Sequence, residues 1–183
     1  MQVVAIYGFP SRAFRSIYNV QVRFTVRDNR SQDFDELWSI DQSCFAPGIS
    51  YTRYELLTYM RRPGAFTLVA ESSEYGDIPQ PVIVGFVVAE ISRRGIGHII
   101  TIDVRERARR FRVGSALLKA AEDRLRNSKS HAVCLEAAVD NTSALRFYKR
   151  HGYTVTRVIR HYYSNGVDAL LLEKNLLSVK TAS

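Results

Sequence analysis

The chain has 183 residues, 46% of them apolar, with 10 Gly and 5 Pro, and its 26 Lys plus Arg against 18 Asp plus Glu give a net charge of +8. A domain of this size buries about 70% of the surface of its unfolded chain, and the composition excludes a disordered, collagen-like or disulfide-stapled protein. Two cysteines, Cys44 and Cys134, are too few for a metal cluster, and no apolar run approaches the ~20 residues that cross a bilayer, so the expectation is a cytoplasmic protein with no membrane span.

In chain order, residues 1–20 read as a leader or an extra strand. The faint likeness of residues 1–27 to a transit peptide, with Arg12, Arg15, Arg23 and Arg27 and no acidic residue, is set against strand-like alternation that begins in the same stretch. Gln21–Arg27 alternates Val22, Phe24 and Val26 with polar residues, which predicts a half-buried strand. Helical spacing from Phe34 to Phe45 predicts a helix with Asp33 as its N-cap, stopped by Ala46-Pro47-Gly48. Thr52–Met60 reads as a second short helix, and Phe66–Glu71 with Val82–Ile91 as a β-hairpin. A strand over His98–Val104 leads through a basic turn into an amphipathic helix whose buried stripe is Val113, Ala116, Leu117, Ala120 and Ala121. There follow a strand at Ala132–Val139, a helix at Thr142–His151 with Asn141 or Thr142 as cap and Gly152 at C′, and strands at Val155–Tyr163 and Asp168–Leu176. The order β, αα, βββ, α, β, α, ββ is mixed α+β and fits no doubly wound Rossmann sheet. One domain over 21–176 is expected, with 177–183 as a C-terminal tail.

Between Arg105 and His131 there are nine basic residues (Arg105, Arg107, Arg109, Arg110, Arg112, Lys119, Arg124, Arg126, Lys129) against Glu106, Glu122 and Asp123, a local net charge of +6. A helix that opens at Val113-Gly114-Ser115-Ala116 offers unpaired N–H groups and a partial positive charge, with small residues that admit close approach, and Arg109, Arg110 and Arg112 add formal charge. The arrangement suits a pyrophosphate, although the same residues also read as a solvated basic loop leading into a core helix. There is no Gly-Lys-Ser/Thr of a Walker loop.

The stretch Val104-Arg-Glu-Arg-Ala-Arg-Arg-Phe-Arg-Val-Gly-Ser-Ala-Leu-Leu118 resembles the acetyl-coenzyme A loop of GNAT-type N-acetyltransferases. Cys134–Tyr153 is similar to that family's strand, Asn-x-x-Ala-x-x-x-Tyr helix and closing Gly-Tyr/Phe. Arg160–Glu173 resembles the Tyr-Tyr hairpin of protein N-terminal acetyltransferases, the RimI-type enzymes and their archaeal and eukaryotic relatives, and Cys44–Tyr51 resembles their peptide-contacting loop. The resemblance covers about residues 21–176. It implies the GNAT fold, a twisted and mainly antiparallel sheet with one splayed parallel pair and helices on both faces. One departure concerns the loop pattern Gln/Arg-x-x-Gly-x-Gly/Ala, where Arg112 stands at the first Gly. The expectation is that Arg112 keeps an ordinary helical φ and swings its side chain outward to a phosphate oxygen.

Acetyl transfer from a thioester to an amine needs a neutral amine, a stabilised oxyanion and a proton for the departing thiolate. An α-amine gives up its proton roughly 3 pKa units below a lysine, so a modest base suffices for an N-terminus. Glu136 shares a strand face with Cys134 and Ala138, among small and apolar residues, and the resemblance implies that it is the base; the plain alternative is a carboxylate on a wet sheet edge. Tyr148 shares a helix face with Ala144, and the resemblance makes it the acid for the thiolate, against an alternative of simple packing. The resemblance further implies coenzyme contacts from Ile102, Asp103 and Val104 through the backbone, from Arg109, Arg110, Phe111, Arg112, Val113, Gly114, Ser115 and Ala116 in the loop, and from Asn141 and Tyr148. Phe45, Pro47, Tyr51, Tyr162 and Tyr163 would wall an acceptor groove, although adjacent strand residues such as Tyr162 and Tyr163 point to opposite faces. His131, His151 and His161 have no metal-ligand spacing, and no histidine neighbours Cys134 in sequence, so direct transfer is expected rather than an acetyl-cysteine route.

The reading is therefore an acetyl-CoA-dependent N-acetyltransferase acting on protein N-termini, with ribosome association as a possible partner relation and no sequence-specific nucleic acid. A small-molecule or lysine acetyltransferase is the near alternative. A basic RNA- or ribosome-binding module with a vestigial acyl-CoA site is the alternative of a different class, poorly supported because Phe111 is the sole aromatic among those cations.

Overall fold

The computed structural model describes residues 23–45, 50–73, 75, 80–92 and 94–177. Its elements are β1 (Thr25–Asp28), α1 (Phe34–Cys44), α2 (Arg53–Met60), β2 (Ala65–Ser72), β3 (Val82–Ile91), β4 (Ile96–Val104), α3 (Val113–Asn127), β5 (Ala132–Ala138), α4 (Thr142–Arg150), β6 (Thr154–Ile159) and β7 (Ala169–Asn175). They follow the order read from the sequence. They build one seven-stranded sheet, β1-β2-β3-β4-β5-β7-β6, in which every neighbouring pair is antiparallel except β4 and β5.

Helices cover both faces, so the central strands are apolar almost throughout rather than alternating. On one face α1 and α2 bury Leu37, Ile40, Leu56 and Tyr59 against Val69, Phe86, Val88 and Ile100. On the other, α3 and α4 bury Leu117, Leu118, Leu125, Ala144 and Tyr148 against Val84, Val87, Ile99, Ile102 and Leu135. Two bulges reconcile this division with the period of a strand. Val84 is passed over between the pairs Ala70↔Gly85 and Glu71↔Ile83, and Ile100 between Val88↔Thr101 and Ala89↔Ile99. Each extra residue flips the alternation and bends its strand. Beyond the second bulge Thr101 and Asp103 point toward α1, while Ile102 and Val104 stay in the α3 core.

Local signals hold at most boundaries. Thr52 closes a capping box on α2 with Glu55, and the Asn141 side chain accepts from the Ala144 amide at 3.0 Å to cap α4. Gly152 takes φ +85°, the left-handed C′ conformation that a side chain would resist. Three readings change. Asp33 does not cap α1 with its side chain: the carboxylate accepts from the Arg30 amide at 2.6 Å and pairs with Arg27 at 2.7 Å, which fixes the turn ahead of the helix. Tyr162 and Tyr163 are not on a strand, because β6 ends at Ile159 and His161 turns the chain with φ +51°. The buried stripe of α3 is Val113, Leu117, Leu118, Ala121, Glu122 and Leu125, with Ala116 and Ala120 half-buried. The leader at 1–20, the first residues of the strand expected at Gln21–Arg27, and tail residues 178–183 lie outside the described residues. Among the described residues no helix is long and apolar enough to cross a membrane.

Candidate active site

The one parallel pairing in the sheet is short. β4 and β5 match Ile96↔Ala132, Gly97↔Val133 and His98↔Cys134, and then part. From there β4 stays bonded to β3 as far as Val104, and β5 to β7 as far as Ala138. The facing edges from Thr101 to Val104 and from Leu135 to Ala138 therefore border a wedge whose backbone groups can pair with an extended, amide-bearing ligand as an added strand would.

Beyond Val104 the wedge opens toward the N-terminus of α3. The Ala116 amide is already bonded to the Arg112 carbonyl at 2.9 Å, which leaves the Val113, Gly114 and Ser115 amides as the first-turn donors for an anion. A Cβ at Gly114 would lie 3.6 Å from Phe147 and 3.7 Å from Val104, ordinary contact, so an alanine would also fit there. The Ser115 hydroxyl bonds His151 Nε2 at 3.0 Å, which ties this turn to the end of α4.

The expectation for Arg112 is overturned: it takes φ +65°, ψ +10°, left-handed, and Arg110 takes φ +69°. The chain must reverse between the short turn at Glu106–Ala108 and α3, and it does so with arginines where glycine would be free of strain; each costs about 1 kcal/mol. Both side chains, with Phe111, remain exposed at the mouth. Arg109 instead folds back, its Nε donating to the Val104 carbonyl at 3.0 Å and Nη2 reaching Cys44 Sγ at 3.6 Å.

Where the strands part, Glu136 is 8% exposed, which removes the wet-edge alternative. Its Oε2 lies 2.7 Å from Nε2 of His98, and Nδ1 of His98 lies 3.6 Å from Oε1 of Glu90. Burial disfavours the imidazolium, but the hydrogen bond and charge of Glu136, aided by Glu90, outweigh it and raise the pKa of His98. His98 is a member of this cluster that sequence reasoning missed. Its link to Glu136 depends on the register of a parallel pair joined through a long crossover, and the only sequence signal was a histidine inside an apolar strand. Cys134, on the same face, is pushed up to about 12 by burial and then by Glu136, which favours the thiol over the thiolate.

Tyr148 is fully buried on α4, its ring 5.2 Å from Phe147 and 5.3 Å from Tyr153, and its hydroxyl has no hydrogen-bond partner among the described residues. Burial first, then Asp103 and Tyr163, raise its pKa, so the O–H stays intact. Asp103 is also fully buried; its Oδ2 accepts from Thr101 at 3.0 Å while Oδ1 has no hydrogen-bond partner among the described residues. Burial and the neighbouring Asp41 carboxyl raise its pKa.

The acceptor residues separate. Phe45 and Tyr51 lie in the core between α1, α2 and the sheet, Tyr51 5.2 Å from Tyr59, and Pro47 lies outside the described residues. Tyr163 is buried and Tyr162 half-buried, their rings 5.1 Å apart and near-perpendicular. Burial, and then the nearby Glu136 carboxylate, raises the pKa of the Tyr162 hydroxyl. A hollow of about 430 Å³ lined by Phe34, Arg53, Tyr54, Leu57 and Met60 involves none of these residues. Among the described residues no three His, Cys, Asp or Glu side chains are grouped to hold a metal ion.

Comparison with known proteins places these features in context. The acetyltransferase (GNAT) family profile matches residues 34–153. An N-alpha-acetyltransferase of Sulfurisphaera tokodaii is 28% identical over 161 residues, 81% of this chain and 91% of that protein. The crystal structure of Ard1 from Thermoplasma volcanium superimposes with a TM-score of 0.73 at 29% identity, over 85% of this chain and 99% of that one. Arabidopsis thaliana NAA60, solved in complex with acetyl-CoA, shares the fold with a TM-score of 0.73 at 19% identity, over 84% of this chain and 98% of that one.

Proposed function

The chain belongs to the GNAT acetyltransferase family, and from that premise we propose that it transfers the acetyl group of acetyl-CoA directly to the α-amino group of a protein N-terminus. The observation that carries this reading is the wedge between β4 and β5, with the Glu136 carboxylate at its apex and, beside Asp103 of β4, a buried Tyr148 hydroxyl that has no hydrogen-bond partner among the described residues. The relative of Sulfurisphaera tokodaii named N-alpha-acetyltransferase, aligned over most of both chains, supports the choice of acceptor.

The residues present fit acetyl-CoA. Ile102, Asp103 and Val104 offer backbone groups along the wedge, the Val113, Gly114 and Ser115 amides and the Arg110 and Arg112 guanidiniums suit a diphosphate, and Tyr148 holds a donor with no hydrogen-bond partner among the described residues. Acetyl-CoA supplies an acetyl group activated as a thioester. Glu136 takes the proton of the acceptor ammonium, so that the nitrogen lone pair is free to attack. A base of this kind serves an α-amine, which titrates near 8, better than a lysine. Tyr148 donates its O–H toward the departing sulfur. Tyr162 borders the acceptor side next to Glu136. The exposed Arg107, Arg110, Arg112, Arg146, Lys149 and Arg150 give the surroundings of α3 and α4 a charge suited to ribosomal RNA, which supports work on nascent chains in the cytoplasm.

The reading is tested by offering one peptide in two forms, with a free and with a blocked N-terminus, each containing an internal lysine, and following thiol release from acetyl-CoA. Release with the free form alone is expected. Equal release with the blocked form would overturn the acceptor assignment.

A further inference from the structure

Glu90, His98 and Glu136 stand side by side on three neighbouring strands, on the sheet face that α1 and α2 cover. The register sets Glu90 against His98 and His98 against Cys134, two residues before Glu136. The imidazole faces a carboxylate at each nitrogen, hydrogen-bonded through Nε2 to Glu136 at 2.7 Å and with Nδ1 in charge contact with Glu90 at 3.6 Å, and the three side chains are 14%, 11% and 21% exposed for His98, Glu136 and Glu90. Arg62 closes the row from the rim, its Nη1 3.6 Å from the second oxygen of Glu90.

We propose that Glu90 is a positioning residue for the proton transfer made at Glu136: it keeps a proton on Nδ1 of His98 and supplies the negative charge that lets the row accept one more. This rests on the reading of Glu136 as the base. A buried imidazolium–carboxylate pair is neutral by itself, and taking the amine proton would leave it with an uncompensated positive charge in a poorly solvated place. With Glu90 the row passes from one net negative charge to none. The N–H bond of the acceptor ammonium breaks, its electron pair stays on nitrogen, and the proton goes to the Glu136 oxygen that His98 does not hold; loss of that proton to water restores the row. The other groups facing it are Tyr59 on α2, Tyr162 after β6, Cys134 on β5 and Glu173 on β7, together with Arg62, which is 38% exposed and screened by water. Burial raises the pKa of Tyr162 and of Cys134, so both are neutral and neither replaces Glu90.

The test titrates the His98 imidazole by NMR in the full chain and records the pH profile of kcat/KM, for wild type, Glu90→Gln, Glu90→Asp and Arg62→Ala. Glu90→Gln should lower the His98 midpoint by about 1 pH unit, move the acid limb of kcat/KM down with it, and cut plateau kcat about tenfold at an unchanged KM for acetyl-CoA. Glu90→Asp should recover part of each effect. Arg62→Ala, which unmasks Glu90, should move the midpoint the opposite way and serves if Glu90→Gln melts early. A midpoint unmoved in both Glu90→Gln and Arg62→Ala, or a midpoint that moves without the acid limb, would overturn the proposal. Failure of the wild type to acetylate any α-amine would count against the acceptor reading instead, and the midpoints would still decide whether Glu90 sets the proton on His98.

Discussion

Nε2 of His98 lies 2.7 Å from Oε2 of Glu136, and this contact joins β4 to β5 at the last matched pair before the strands separate. The wedge thus has a buried carboxylate at its apex and helix N-terminal amides at its mouth. Replacing Glu136 by Gln preserves the shape of that apex and removes its basicity. Steady-state kinetics should show turnover reduced by about 10²–10³-fold with acetyl-CoA binding intact and the acid limb of the pH profile lost. An unaltered profile would take Glu136 out of the base role.

Tyr148 carries a buried hydroxyl that bonds nothing among the described residues, an arrangement that costs about 1–3 kcal/mol. Tyr148→Phe should therefore melt at or above the wild-type temperature in the absence of ligand, while turnover falls and acetyl-CoA affinity changes little. A variant that is less stable, or fully active, would show that the hydroxyl serves the fold and not the sulfur.

The left-handed Arg112 separates backbone strain from charge. Arg112→Gly and Arg112→Ala both remove the guanidinium and should weaken acetyl-CoA binding equally, most at low salt. The glycine variant should be the more stable of the two by about 1 kcal/mol, because only it adopts positive φ without a steric cost. Denaturant melts of the two variants check this; equal stabilities would mean the turn relaxes once the arginine is gone.

Asp41 and Asp103 make stability depend on pH. Burial pushes Asp41 up to about 7 against the hydrogen bonds from the Tyr51 amide and the Gln42 side chain, and burial together with the Asp41 carboxyl raises Asp103 well above the usual carboxylate range. An unfolded aspartic acid ionises near 3.8, so between about pH 4 and 7 the folded chain holds more protons than the unfolded one. Stability is then greatest on the acid side of that window and declines as pH rises through it. Thermal melts from pH 5 to 8 should show this decline, and Asp41→Asn should flatten it. A wild-type curve that rises across the window would contradict the assignment.

Much of this was legible in the residues. Period-two and helical spacing gave the element order, and the asymmetric placement of Cys134, Glu136 and Ala138 set Glu136 apart from the core-facing Val133, Leu135 and Ala137. What escaped depended on tertiary context. The one hint that Arg112 is left-handed was the glycine that the loop pattern places there; the arginine itself gives none, because the αL conformation is imposed by the junction between β4 and α3. The turn at His161 cut short an apparent strand and carried Tyr162 to Glu136. The His98–Glu136 contact needs the register of two strands separated by all of α3.

The wedge itself is tested most directly by hydrogen–deuterium exchange of the full chain with and without acetyl-CoA. The account predicts slower exchange at the amides of Thr101–Val104 and Val113–Ser115 on binding, with β1 and β6 unchanged. Binding that protects other segments and leaves those two exchanging as before would contradict it.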